Sequence, residues 1–386
     1  MAINVFVPKY HTEEILEEIR ECLDKGWTGL GFKTVKFEEA WKTYTGLPHA
    51  HFINSNTAGL HLAVHILKNK YGWKEGDEII STPITFVSTN HAILYERLKP
   101  VFADVDEYLC LDPEDIEKKI TPRTRAVMYV GMGGNTGRLD AVADICKRHN
   151  LKLILDAAHM AGTKYRGKHV GSEADVAVFS FQAVKNLPTA DSGMVCFKEE
   201  ELDGWVRKLS WLGISKDTYA RFNKNQGSYK WRYDVPDVGF KYHGNSIIAS
   251  IGLVQLKYLD DDNKRRNELA HLYDELLKDN ERVRTIPVAP GCYSARHLYQ
   301  VLVPNRDKVL QQFYDNDIYP GVHYWANTNY PMYAYAKGTC LKASEISKTV
   351  VSLPLHINLD EKDIKLIVGV LCDAVVTKEI SNLNHS

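Results

Sequence analysis

Lys185 lies five residues past Ser180 in Val178-Phe-Ser-Phe-Gln-Ala-Val-Lys-Asn-Leu187, just beyond an apolar run that reads as a strand. A lysine amine that is partly withdrawn from water, or kept near other cations, has a lowered pKa and becomes the nucleophile of Schiff-base chemistry. Taken alone it would be a solvated surface lysine, so its weight comes from its companions. Asp156 ends the apolar run Leu153-Ile-Leu-Asp, where a carboxylate is costly to bury unless a cation or hydrogen-bond donors meet it. A protonated ring nitrogen would be such a partner. In Asn54-Ser-Asn-Thr57-Ala58-Gly-Leu-His61, small polar residues precede an amphipathic helix, so unpaired amides, hydroxyls and the positive end of a helix dipole suit a phosphate. Phe86, in Thr85-Phe-Val-Ser-Thr-Asn90, stands where a strand hands over to a helix and can cover a planar ring. Each feature singly is an ordinary cap, core residue or turn. A phosphate cradle, a ring cover, a carboxylate for a pyridinium and a Schiff-base lysine together make up a pyridoxal 5′-phosphate (PLP) site.

Two competing constellations are weaker. Gly131-Met-Gly-Gly-Asn-Thr-Gly137 follows an apolar strand, with Asp156 about 20 residues on, as in a nicotinamide-binding fingerprint. The required G-x-G-x-x-G is broken by Thr136, and the turn reads as a plain strand-to-helix connection. His61 and His65 lie one helical turn apart, and Cys146 is near His149, but neither pair has a second pair at ligand spacing, so no metal is expected.

The elements that would carry these residues alternate. Helix from Thr57, strand Glu78–Ile80, helix Ser88–Leu98, strand Val101–Val105, helix Pro113–Lys119 and strand Arg125–Val130 come first. Helix Leu139–His149 and strands Lys152–Leu155, Val176–Phe181 and Met194–Phe197 follow. Such alternation, with strands apolar throughout, predicts an α/β fold with a largely parallel sheet covered by helices on both faces. An aromatic, basic excursion runs from about 203 to 239, and a long helix is expected from Ser246 to Asp279. Two domains are expected: a large one over 1–250, and a smaller α+β one over 251–386 that includes the linking helix.

Composition narrows the class. Forty-eight Lys and Arg against 49 Asp and Glu give a net charge of −1, too weak a field for nonspecific nucleic-acid or acidic-membrane binding. Seven cysteines without a repeated short spacing argue for reduced thiols and a cytoplasmic location. No run approaches the ~18 apolar residues of a membrane span.

The order Gly26-Trp-Thr-Gly29, Phe37-Glu-Glu39, Asn54–Ala63, Gly76-Asp-Glu78, Thr85–Ser88, Asp156-Ala-Ala-His159, Phe179-Ser-Phe181, Lys185-Asn186 and Gly193 resembles the DegT/DnrJ/EryC1/StrS aminotransferases. The likeness runs from about 25 to 375 and includes Gly321-Val-His323-Tyr324 and Ser352-Leu-Pro354. The resemblance implies a fold-type I PLP-dependent transferase, a homodimer with active sites at the subunit interface, and transfer of an amino group from L-glutamate to a keto-sugar. The acceptor would be a nucleotide-linked 4-keto or 3-keto deoxysugar, with a cyclitol or a small phosphorylated ketone as the alternative. Carried over by position, Lys185 joins the cofactor as a Schiff base, Asp156 pairs with the pyridine nitrogen, His159 neighbours the ring hydroxyl and Phe86 stacks on the ring. Thr57, the Ala58 amide and Ser180 would hold phosphate, and Lys241, in Gly239-Phe-Lys-Tyr-His243, would reach the neighbouring subunit's phosphate. His323 and Tyr324 are candidate sugar or nucleotide contacts. Ala190-Asp-Ser-Gly193 departs from the family's usual Gly-Asp/Glu-Gly-Gly after the lysine. A lysine rather than a histidine at 185 argues against the dehydrating branch. A nicotinamide-dependent oxidoreductase and a non-catalytic ligand-binding relative are the alternatives from other classes.

Overall fold

The computed structural model describes residues 2–215 and 233–376. Seven strands form the main sheet in the spatial order His51–Ile53, Gly193–Phe197, Val176–Ser180, Lys152–Asp156, Thr124–Val130, Glu78–Ser81, Lys99–Phe102. Neighbouring strands pair in parallel except at Gly193–Phe197, which is antiparallel to both of its neighbours. Side chains alternate between two cores, as the two-residue period of a strand requires. Val127, Leu153, Leu155, Ala177 and Phe179 enter one core, while Ala126, Met128, Ile154, Val176 and Val178 enter the other. That is why these strands are apolar throughout: helices cover both faces.

The helix Asn56–Tyr71 packs on the second core through Leu60, Ala63, Val64 and Leu67. Ser55 begins it, its hydroxyl accepting the Ala58 N–H at 3.1 Å, the ordinary N-cap arrangement. Gly59 lets the helix sit close, since a Cβ there would come within 2.4 Å of Ile53 Cδ1 and 2.5 Å of Val178 Cγ1.

The long helix runs Ser246–Leu277, capped by Asn245, whose side chain accepts from the Ile248 N–H at 3.0 Å. Its first half packs on the helices Thr12–Asp24 and Phe32–Thr45. Its second half enters a third core with strands Tyr299–Leu302 and Val350–Leu353 and the helix Glu361–Val376. The sheet there is antiparallel, in the order Arg284–Thr285, Tyr299–Leu302, Val350–Leu353. Ile3–Asn4 pairs in parallel with Ile318–Tyr319, so the first residues of the chain join the C-terminal part.

The excursion expected from 203 begins as the helix Glu200–Leu209, burying Leu202, Val206 and Leu209. Tyr219, Phe222, Tyr229 and Trp231 lie outside the described residues. All seven cysteines are free thiols. Among the described residues no helix is long and apolar enough to cross a membrane.

Candidate active site

Parallel strands converge their carboxyl ends on one edge of the sheet, where α/β proteins place ligands. A cavity of about 670 Å³ opens there. It is lined by Ser55, Asn56 and Thr57 beyond the strand His51–Ile53, by Thr85 to Thr89 beyond Glu78–Ser81, and by Val130, Asp156 and Ser180 at three further strand ends. Lys185, His159, His297, His323 and Tyr324 complete it, with Phe6 from the N-terminal segment.

Asp156 is 3% exposed. Its Oδ1 accepts from Asn56 Nδ2 and the Ala158 amide, both at 3.2 Å, and its Oδ2 from Thr89 Oγ1 at 2.7 Å. Burial nevertheless raises its pKa, because these donors and Lys185 offset the desolvation only in part. Lys185 follows a tight turn in which its own N–H donates to the Gln182 carbonyl at 2.8 Å. Burial lowers the Lys185 amine to about 8, with Asp156 pulling the other way. A neutral fraction is therefore present near physiological pH, as a nucleophilic amine needs.

His159 is buried, and its Nδ1 accepts the Gly133 N–H at 3.3 Å. A neutral imidazole that accepts at Nδ1 carries its proton on Nε2, and Nε2 faces the Tyr324 hydroxyl at 3.2 Å. Burial, together with Lys185 and His323, holds His159 well below the usual imidazole range. Gly133 sits in the Gly131–Gly137 turn, with φ at +62° inside a short 3₁₀ segment. This turn is buried, and its Gly133 amide is the donor that meets His159 Nδ1.

Thr57, Phe86, Ser180, His323 and Tyr324 all line the cavity. Phe86 is 59% exposed, and its ring lies 6.3 Å from that of Tyr324. His323 Nδ1 meets Ser352 Oγ at 2.9 Å, and burial brings its pKa down to about 4. Two further expected residues, Ala58 and Lys241, do not line this chain's cavity. The Ala58 N–H is taken by Ser55 Oγ, and the residues just before Ala58, namely Ser55, Asn56 and Thr57, line the cavity in its place. Lys241 is exposed, lies outside its own chain's cavity, and holds its ammonium 3.3 Å from the centre of the Trp211 ring.

Sequence reasoning missed several neighbours. Asn56 and Thr89 stand inside motifs that were singled out, and polar residues flanking a strand end were the available signal. His297, whose Nε2 lies 3.3 Å from Lys185 Nζ, and Phe6, stacked on His297 at 5.1 Å, had no local signal. Glu96 joins His61 and His65, its Oε1 lying 2.9 Å from a nitrogen of each. The ligand atoms of these three residues fall within 4.8 Å of one another. Lys68 also donates to the Glu96 carbonyl at 2.7 Å. Burial alone would raise the Glu96 carboxyl, but the hydrogen bonds with His61 and His65 hold it well below the usual range.

An amine of lowered pKa and a buried carboxylate on one strand-end cavity are the equipment of an α/β group-transfer enzyme. The chain belongs to the DegT/DnrJ/EryC1/StrS aminotransferase family, matching it over residues 9–372, and is an aminotransferase of the fold-type I architecture. It is 34% identical to a dTDP-4-dehydro-2,3,6-trideoxy-D-glucose 4-aminotransferase of Saccharopolyspora spinosa over 97% of each chain. Among solved structures it is similar to Helicobacter pylori PseC, an aminotransferase involved in the biosynthesis of pseudoaminic acid, with a TM-score of 0.88, 28% identity, and coverage of 97% of this chain and 99% of that one. It is also similar to a Streptococcus pneumoniae protein assigned as a sugar aminotransferase and solved in its PLP form, with a TM-score of 0.87, 27% identity, and coverage of 97% and 99%.

Proposed function

We propose that this chain is a PLP-dependent aminotransferase that carries an amino group from L-glutamate to a nucleotide-linked 4-keto or 3-keto deoxysugar. The observation that carries this reading is the placement of Lys185 and buried Asp156 on one cavity, Asp156 ending one strand and Lys185 following the end of its parallel neighbour. The donor set fits the cofactor. Asp156 is a buried carboxylate whose pKa is raised, so it gains from a cationic ring nitrogen. Ser55, Thr57 and Ser180 offer hydroxyls beside a helix N-terminus, suited to phosphate.

When bound, PLP supplies a carbonyl that receives the amino group and a protonated ring that withdraws electrons. Lys185 Nζ is the group that binds the carbonyl and, once free, takes and returns the substrate-carbon proton. Asp156 is oriented by Asn56, Thr89 and the Ala158 amide, so the field it presents to a cationic ring is set before reaction. His159 presents a neutral Nε2–H to Tyr324, which leaves the Tyr324 O–H free to donate into the cavity. Phe86 covers one side of the cavity.

The working unit in this reading is a cytoplasmic homodimer in which Lys241 serves the neighbouring subunit's phosphate. In support, Lys241 is exposed and is not among the residues lining its own chain's cavity. The division into a large domain over 1–250 and a small one over 251–386 belongs to the same proposal. A screen of keto acceptors with glutamate as donor tests the substrate assignment. Amination of nucleotide-linked keto-deoxysugars is the expected result; turnover of only cyclitol or small phosphorylated ketones would replace that acceptor, and no turnover with glutamate would remove the donor.

A further inference from the structure

Asn263, on the long helix, donates from Nδ2 to the Ala161 carbonyl at 2.9 Å and accepts at Oδ1 from Arg266 Nη1 at 3.3 Å. This fixes which end of its amide faces which way. Asn263 Oδ1 also accepts from Asn186 Nδ2 at 2.7 Å, and the same Asn186 nitrogen donates to the Ala295 carbonyl at 2.6 Å. Two acceptors therefore hold the amide nitrogen of Asn186, and its Oδ1 faces the other way. That oxygen lies 3.0 Å from His297 Nδ1. A carbonyl oxygen can only accept, so the network assigns the His297 proton to Nδ1.

His297 is buried, and burial, followed by the nearby Lys185, His159 and His323, keeps its pKa well below the usual range. A neutral ring protonated at Nδ1 has one remaining site, the Nε2 lone pair. It lies 3.3 Å from Lys185 Nζ. The ring cannot turn freely, since Phe6 is stacked on it at 5.1 Å with 5° between the planes.

We infer that His297 is the positioning residue for Lys185: an acceptor of fixed tautomer, set by Asn186, that takes one N–H of the lysine amino group. Lys185, at the end of a flexible stem, is thereby held at one wall of the cavity whenever its amine is free, with the remaining valences of Nζ turned toward the cavity. The protonated amine gains from this acceptor, because hydrogen bonding to the charged form favours it. The neutral amine keeps the same contact by donating one of its two protons. The inference rests on the proposed role of Lys185 for its part in the reaction, but the hydrogen bond belongs to the chain alone.

The test uses the cofactor-free full chain. Trace labelling with acetic anhydride between pH 6 and 11, with the Lys185 peptide quantified by mass spectrometry, gives the apparent pKa of that amine. His297→Phe keeps a flat ring against Phe6 and removes both nitrogens. It should lower the Lys185 pKa by about one unit, because the ammonium loses its acceptor. His297→Gln, which restores an acceptor near the Nε2 position, should recover most of that shift. No shift in His297→Phe, or an equal shift in His297→Gln, would overturn the inference. Should His297→Phe fail to fold, ¹⁵N shifts of wild-type His297 decide: a proton on Nδ1 and a bare Nε2 are expected, and the reverse tautomer would refute it. If the cofactor does not attach to Lys185 while the pKa shift is found, the functional reading fails and this contact stands.

Discussion

Replacing Asp156 with Asn changes one charge and almost nothing else. The Asn oxygen can keep the bonds from Asn56 Nδ2 and the Ala158 amide, while the new amide nitrogen faces Thr89 Oγ1. Thr89 can turn its hydroxyl to donate to Thr85 Oγ1, 2.8 Å away, and accept from the amide. The fold has reason to tolerate the change in a second respect. The folded pKa of Asp156 is raised by burial, so the ionised carboxylate costs stability as pH climbs above its ordinary 3.8. The Asn variant is free of that cost, and cofactor-free Tm at pH 7 should be unchanged or higher. The loss falls on catalysis. Two unit charges about 4 Å apart interact by about 4 kcal/mol at an effective dielectric near 20, so the rate should drop on the order of 10²–10⁴, roughly 3–5 kcal/mol of barrier. Stopped-flow loss of visible absorbance after mixing loaded enzyme with glutamate measures the half-reaction directly. A variant within about threefold of wild type at saturating cofactor, a margin of roughly 0.7 kcal/mol, would mean that Asp156 faces no cationic ring.

Lys185 offers a pH test in the cofactor-free protein. Its folded pKa is depressed from 10.5 to about 8, so its penalty is fully present below pH 8 and is relieved as pH rises toward 10.5; Lys185→Met should be the more stable chain at pH 7 in denaturant titrations, with the gap closing by pH 10.5. Gly59→Val would drive side-chain atoms into Ile53 and Val178, at a cost of about 1–3 kcal/mol; Tm should fall and phosphate-end affinity with it, and an unchanged Tm would contradict the close packing. For the composite dimer, mixing Lys185→Ala and Lys241→Ala chains under verified subunit exchange should restore activity, since one of the two sites then carries neither defect; no rescue, with Lys241→Ala itself impaired, would confine Lys241 to its own subunit.

The strand ends were legible because an apolar run stopped by a polar residue marks where a buried parallel strand emerges, as at Asp156 and Ser180. Those ends placed Lys185, Asp156, Thr57, Phe86 and Ser180 on one cavity. His51–Ile53 was not legible, since three residues carry no period. In Glu200–Leu209 the apolar face of Leu202, Val206 and Leu209 is interleaved with Trp205 and leads into an aromatic segment, which hid its helical spacing. His297 meets Lys185 from 112 residues away, and Phe6 arrives because Ile3–Asn4 pairs with Ile318–Tyr319. Contacts of that kind are fixed by tertiary packing, on which local spacing is silent. Glu96 reaches His61 and His65 in the same way, from the end of the next helix.

The measurement that bears most directly on the central claim is borohydride reduction of the purified, PLP-loaded protein, followed by peptide mapping. The proposed chemistry predicts a visible absorption band that disappears on reduction and a cofactor mass fixed on the peptide carrying Lys185. A protein that stays colourless with PLP, or a label fixed on any other lysine, would contradict it.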